Sequence, residues 1–151
     1  MIFFFTLAAY PQDEYLKIDT SVSPSSISRG EEGVLKIKIT PRSDIKIPSI
    51  SSHLGFMIKF EDDANLSFPK VFYTASELDL QMKQENDSVY LDFEKEIPIT
   101  FKVTEDSLAG KHQINGEVIF TAVFKDNWSV KTHQKFNADF SSKGNRKTRK
   151  K

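Results

Sequence analysis

The side chains with which this chain could hold a metal or move a proton are few. Three histidines, His53, His112 and His133, stand far apart, and no two have the short spacing that lets a pair grip one ion. Glu61, Asp62 and Asp63 form one acidic cluster and Glu94 and Glu96 flank Lys95 in another. Calcium needs several oxygens converging at about 2.3–2.6 Å, and a bare acidic triplet lacks the loop spacing that delivers them, so both clusters read as solvated turns. With no cysteine in the chain, disulfides, thiolate zinc sites and thiol catalysis are excluded. No G-x-S-x-G, Walker loop or H-E-x-x-H occurs. These absences point to a non-enzymatic chain with no cofactor or metal. The triplets at Asn65, Asn86 and Asn127 match the glycosylation sequon, a pattern common by chance.

The one unusual placement is Trp128. It sits beside the polar stretch Lys125-Asp126-Asn127, between two runs that alternate in polarity, Phe120 to Phe124 and Ser129 to Phe136. A large aromatic beside a polar tip raises the question of what this hairpin is for.

The elements that must position these residues are strands. In VLKIKIT (34–40), Leu35, Ile37 and Ile39 share one face while Lys36, Lys38 and Thr40 share the other. That period of two marks a half-buried strand. IPITFKV (97–103) alternates in the same way, with Ile97, Ile99, Phe101 and Val103 on one side. QINGEVIFTAVF (113–124) and SVKTHQKFNADF (129–140) follow as a final pair, with Val118, Phe120 and Ala122 facing inward from one and Phe136, Ala138 and Phe140 from the other. TASELDLQMKQ (74–84) is the best helical candidate, yet Leu78, Leu80 and Met82 fit a strand equally well. Short strands separated by turns, with no long helical stripe, predict an all-β chain. The expected architecture is an immunoglobulin-like antiparallel β-sandwich of about seven to nine strands.

The chain has 151 residues and a formal net charge of zero, but the charge is unevenly spread. The last eleven residues, SSKGNRKTRKK, carry six Lys or Arg and no acid, which leaves the body with fifteen basic and 21 acidic side chains. Residues 141–151 are expected to be a disordered basic tail able to touch an anionic membrane surface. Without interleaved aromatics the tail is a poor candidate for sequence-specific nucleic-acid binding. At the other end, Ile2 to Ala9 is apolar and ends in small residues. The run resembles a truncated signal or leader over 1–13 and implies a periplasmic or secreted location for the 14–140 sandwich.

The order of these features resembles the N-terminal domain of the bacterial thiol:disulfide interchange protein, the disulfide bond corrector family. The resemblance rests on SFPKVFY (67–73), IPITFKV and AGKHQINGEVIFTAVFKDNWS (109–129). In that family a strand reading aromatic-x-small-Cys is followed, after five intervening residues, by a second Cys with an aromatic before it. Here Val123 stands at the first cysteine place, Ser129 at the second, and Trp128 at the aromatic. The resemblance therefore implies a redox-inactive relative, since neither Val nor Ser can exchange a disulfide. It further implies a cap segment within 70–78, with Phe72 and Tyr73 joining Trp128 as candidate partner-binding residues. The implied partner is a protein, a thioredoxin-like one if docking outlived the chemistry.

Overall fold

The computed structural model describes residues 14–49 and 55–143. The leader-like run, His53 and the tail from residue 144 lie outside the described residues. Twelve strands and no helix make up the described chain, arranged as two packed sheets with a small added hairpin. The all-β sandwich expected from the alternation is the fold observed.

The first sheet has the order β1-β3-β10-β6: β1 (Leu16–Ser23), β3 (Glu32–Pro41), β10 (Ile97–Val103) and β6 (Leu66–Ser67). Its strands pair antiparallel, with Leu35 opposite Val22 on one side and Ile99 on the other. Leu35, Ile37, Ile39, Ile97, Ile99, Phe101 and Val103 are all buried, so the predicted inward face is the real one.

The second sheet has the order β2-β12-β11-β5-β7: β2 (Ser26–Ser28), β12 (Ser129–Lys143), β11 (Gly110–Phe124), β5 (Phe56–Phe60) and β7 (Phe72–Thr74). Short β4 (Ile45–Lys46) joins the same edge of β11 beyond β5, with Lys46 opposite Val123 and Ile45 opposite Phe124. Val118, Phe120, Ala122, Phe136, Ala138 and Phe140 point inward and are buried. Aromatic rings fill the space between the sheets: Phe60 stacks on Phe68 at 4.1 Å between centroids, and Phe101 tilts against Phe140 at 5.5 Å. Tilted pairs such as Phe101 and Phe140 add stability beyond the area they bury.

Three details differ from the sequence expectation. Strand β12 extends to Lys143, and Ser142 is buried, so 141–143 belong to the sheet instead of opening the tail. The ambiguous 74–84 segment is a turn leading into β8 (Gln81–Glu85), which pairs with β9 (Ser88–Asp92). That hairpin does not join either main sheet; it hangs on the 47–49 segment, where Leu91 N–H donates to the Ile47 carbonyl and Ser49 N–H to the Val89 carbonyl. The chain also changes sheets near its start. β1 pairs with β3 in the first sheet, and after Pro24 the chain continues as β2, which runs parallel to the end of β12 in the second.

Candidate functional site

The β11–β12 turn is built from three residues, Lys125, Asp126 and Asn127. Asn127 N–H donates to the Phe124 carbonyl at 2.8 Å, and Phe124 N–H donates to the Trp128 carbonyl at 2.8 Å. Asn127 has a φ of 70°. This combination is a tight turn closed by a left-handed residue that forms a bulge, one of the favoured three-residue hairpin loops. Asn tolerates that conformation because its short amide can bond locally. Asp126 Oδ1 accepts from Trp128 N–H at 3.1 Å and fixes the step out of the turn. Asn86, the residue of a second sequon triplet, also has a positive φ, 57°, at the β8–β9 turn. Turn geometry is thus a sufficient physical reason for both asparagines.

Val123 and Ser129 are directly opposite each other one rung below this closure. Their pairing follows from the loop: a three-residue turn closed by Phe124 and Trp128 must set 123 against 129. The spacing that carried the family resemblance is therefore the spacing of this turn.

Phe72 and Tyr73 do not approach that pair. Tyr73 lies opposite Ile58, which lies opposite Val118. Six residues of β11 separate that level from Phe124, about 20 Å at the rise of a strand. Tyr73 packs edge-on against Phe60 at 6.0 Å. Burial raises its phenol pKa above the ordinary value; the Lys70 backbone opposes this weakly, and no hydrogen-bond partner meets the hydroxyl with good geometry. Phe72 is 46% exposed beside exposed Val71, a separate apolar spot on the far edge strand.

The neighbours of the turn come from elsewhere in the sequence. Trp128 is 61% exposed, and its indole leans on Phe124 at 5.5 Å. Tyr15 meets Phe124 edge-on at 5.7 Å, and the Arg42 guanidinium lies 4.8 Å above the Tyr15 ring. Arg42 is itself held by Asp44 through Nε–Oδ1 at 2.7 Å and Nη2–Oδ2 at 2.9 Å. This fork raises the guanidinium pKa and lowers that of the carboxyl, chiefly through the shared hydrogen bonds. On the other side Lys46 pairs with Glu85 and sits 5.2 Å from the Tyr90 ring. Between these walls runs a cleft of about 290 Å³, lined by Asp44, Lys46, Tyr90, Val123, Phe124 and Asn127 among others. Sequence reasoning found Trp128 but missed Tyr15, Lys46 and Tyr90, because their nearness depends on strand pairing across large separations.

His112 and His133 stand apart from this end. His112 bonds the Leu108 carbonyl at 2.6 Å through Nε2, and His133 Nδ1 lies 3.5 Å from Glu117 Oε1. Among the described residues no group of three or more His, Asp or Glu is placed to hold a metal ion. No helix of the described residues is long and apolar enough to cross a membrane.

No family model matches the chain, and no curated protein matches it. Among solved structures it is similar to the major pilin subunit of Bacillus cereus, at 14% identity and a TM-score of 0.47, over 87% of this chain and 41% of that one. It is also similar to a conjugative transposon lipoprotein from Bacteroides eggerthii, at 13% identity and 0.32, over 82% and 98% of the two chains. A third is the major subunit of Myf fimbriae from Yersinia enterocolitica, at 10% and 0.32, over 83% and 98%. The chain thus spans about two fifths of the pilin subunit's length. None of the three is a thiol:disulfide interchange protein. That resemblance is corrected accordingly: the 123/129 spacing reports a hairpin turn, and the thioredoxin-like partner it implied goes with it.

Proposed function

We propose that this chain is a non-enzymatic, exported interaction module that binds a protein partner through the end of the sandwich around the β11–β12 turn. One observation carries the reading: a Trp 61% exposed that leans on Phe124, which Tyr15 meets in turn and which lines a cleft. Large aromatics that are rigidly supported yet open to water are the side chains from which binding hot spots are made, because they bury much area for little lost freedom. Sandwiches also present their turns as clustered binding surfaces on a rigid frame. The signal-like run at 2–9 supports the exported part of the reading.

Site-specific photocrosslinking tests it. A photoreactive residue placed at 128 should capture a defined protein from an envelope extract, and one placed at Leu108, also exposed, should not. Competition with unlabelled protein should abolish the adduct, whereas competition with the Trp128→Ala variant should leave it. Identical adducts from both positions, or none from 128, would remove this end of the sandwich as the binding surface.

A further inference from the structure

Strand β12 runs for fifteen residues, and among the described residues the strand ladder on its outer edge is limited to β2 against Ser141 to Lys143, while β1 touches the edge through side-chain bonds at Asn137 and Gln134. Which backbone groups face outward is fixed by two bonds at that edge. Ser141 N–H donates to the Ser25 carbonyl at 2.9 Å, and the Asn137 carbonyl accepts from Thr20 Oγ1 at 2.8 Å. In an antiparallel ladder a residue's N–H and C=O point the same way and alternate residues point oppositely. The odd-numbered residues of β12 therefore turn their backbone outward. For Lys131, His133 and Lys135 those groups have no hydrogen-bond partner among the described residues. At the inner end of this row the edge opens into a groove of about 650 Å³ between β1 and β12, lined by Tyr15, Lys17, Arg42, Lys135 and Phe136 among others.

An open edge is a template for another strand, and here the side chains state which kind. Lys131, His133 and Lys135 are exposed along it. On the neighbouring strands Glu117 stands between Lys135 and Lys59 and reaches to 3.5 Å from His133 Nδ1, so along this row one acid meets four basic side chains, Lys131, His133, Lys135 and Lys59. The groove lining holds one acid, Glu14, against three basic side chains, Lys17, Arg42 and Lys135. A second copy pairing edge to edge would set these lysines against one another, which is unfavourable. An extended acidic segment would have its backbone groups satisfied and its charges matched.

We propose that the Ser129–Lys135 edge of β12 accepts an extended acidic segment of a partner protein as an added strand, with carboxylates at alternate positions opposite Lys131, His133 and Lys135. The edge adjoins the Trp128 end and shares Tyr15 and Arg42 with it, but its contacts are backbone groups and basic side chains, so the Trp128→Ala variant tells the two readings apart.

The test uses the full chain and two synthetic ten-residue peptides of one composition. In one, Glu and Val alternate; in the other, five Glu precede five Val. In the free protein the amides of Lys131, His133 and Lys135 should exchange rapidly with solvent. The alternating peptide should slow them by at least about tenfold, as formation of a hydrogen-bonded strand requires. His133→Pro removes an outward N–H where an edge tolerates proline and should weaken binding about tenfold. The double variant Lys131→Glu, Lys135→Glu should lose it, while Trp128→Ala should leave it intact. Equal binding of the block peptide, binding without slowed exchange, or no binding at millimolar peptide would overturn the proposal. So would amides already protected in the free chain, whether by residues 1–13 or by a second copy, which sedimentation would reveal.

Discussion

Replacing Gln134 with alanine tests whether a single amide closes the open side of the sandwich. Gln134 Oε1 accepts from Tyr15 N–H at 3.2 Å and from Leu16 N–H at 3.1 Å, while Nε2 donates to the Leu16 carbonyl at 2.5 Å. The side chain thus performs for β1 what a strand ladder would, across 118 residues of sequence. Net contributions of neutral hydrogen bonds run about 0.5–1.5 kcal/mol. The two long bonds share one acceptor and belong at the low end, about 0.5 kcal/mol each, with about 1 kcal/mol for the short one. Gln134→Ala should therefore cost about 2 kcal/mol, or about 4–8 °C in Tm for a domain of this size. Chemical denaturation gives the free energy, and exchange of the Tyr15 and Leu16 amides should quicken in parallel. Gln134→Leu separates bonding from packing, because it keeps the volume and loses every bond. If the leucine variant lies within about 0.5 kcal/mol of the parent, the amide only fills space and the reasoning fails.

Gly116 should resist even alanine: an added Cβ would sit 2.9 Å from the Lys59 carbonyl oxygen, which is fixed backbone, and 2.7 Å from the Phe136 ring. Gly116→Ala should cost about 1–3 kcal/mol, as overpacking does, read from urea midpoints. Asn127→Gly should leave stability unchanged or raise it, whereas Asn127→Val should lower it by about 1–2 kcal/mol because a β-branched residue is strained at that φ; thermal melts of the pair decide. Tyr73→Phe should match or exceed the parent, since the phenol hydroxyl is buried without a well-placed partner. Because burial raises the Tyr73 pKa, the protonated phenol is the form the fold prefers. Its contribution is full below the ordinary value of about 10 and is lost as pH climbs through the raised one. Melts in a rising alkaline series should show a loss in the parent that is smaller in the phenylalanine variant.

The inward faces of β3, β10, β11 and β12 were legible because each strand declares its buried side with a period of two. Which sheet each strand joins was not. FMIKF and LSF are six residues apart, yet β5 lies in the second sheet and β6 in the first. The turn at 125–127 was legible as a turn, and its spacing was over-read: paired residues flanking a three-residue loop look like a cysteine pair with the sulfurs removed. Trp128 stood out by size and setting. Lys46 and Tyr90 carried no local sign, since β4 is two residues long and the β8–β9 hairpin presents mostly exposed side chains. Gln134 could not be found either, because its partners are backbone groups and backbone has no sequence.

The parallel pairing of β2 with the end of β12 gives the described chain a mechanical character. A force drawing its two ends apart pulls β2 toward its own start and β12 toward its own end, in opposite senses along one shared axis. The bonds between them lie across that axis, so they are sheared together and do not open one by one. β1, nearer the pulled end, is loaded along its length against β3 through eight paired residues. Tension between the ends thus meets ladders lengthwise, whereas a force applied at the β8–β9 hairpin would peel it from the 47–49 segment through its few bonds.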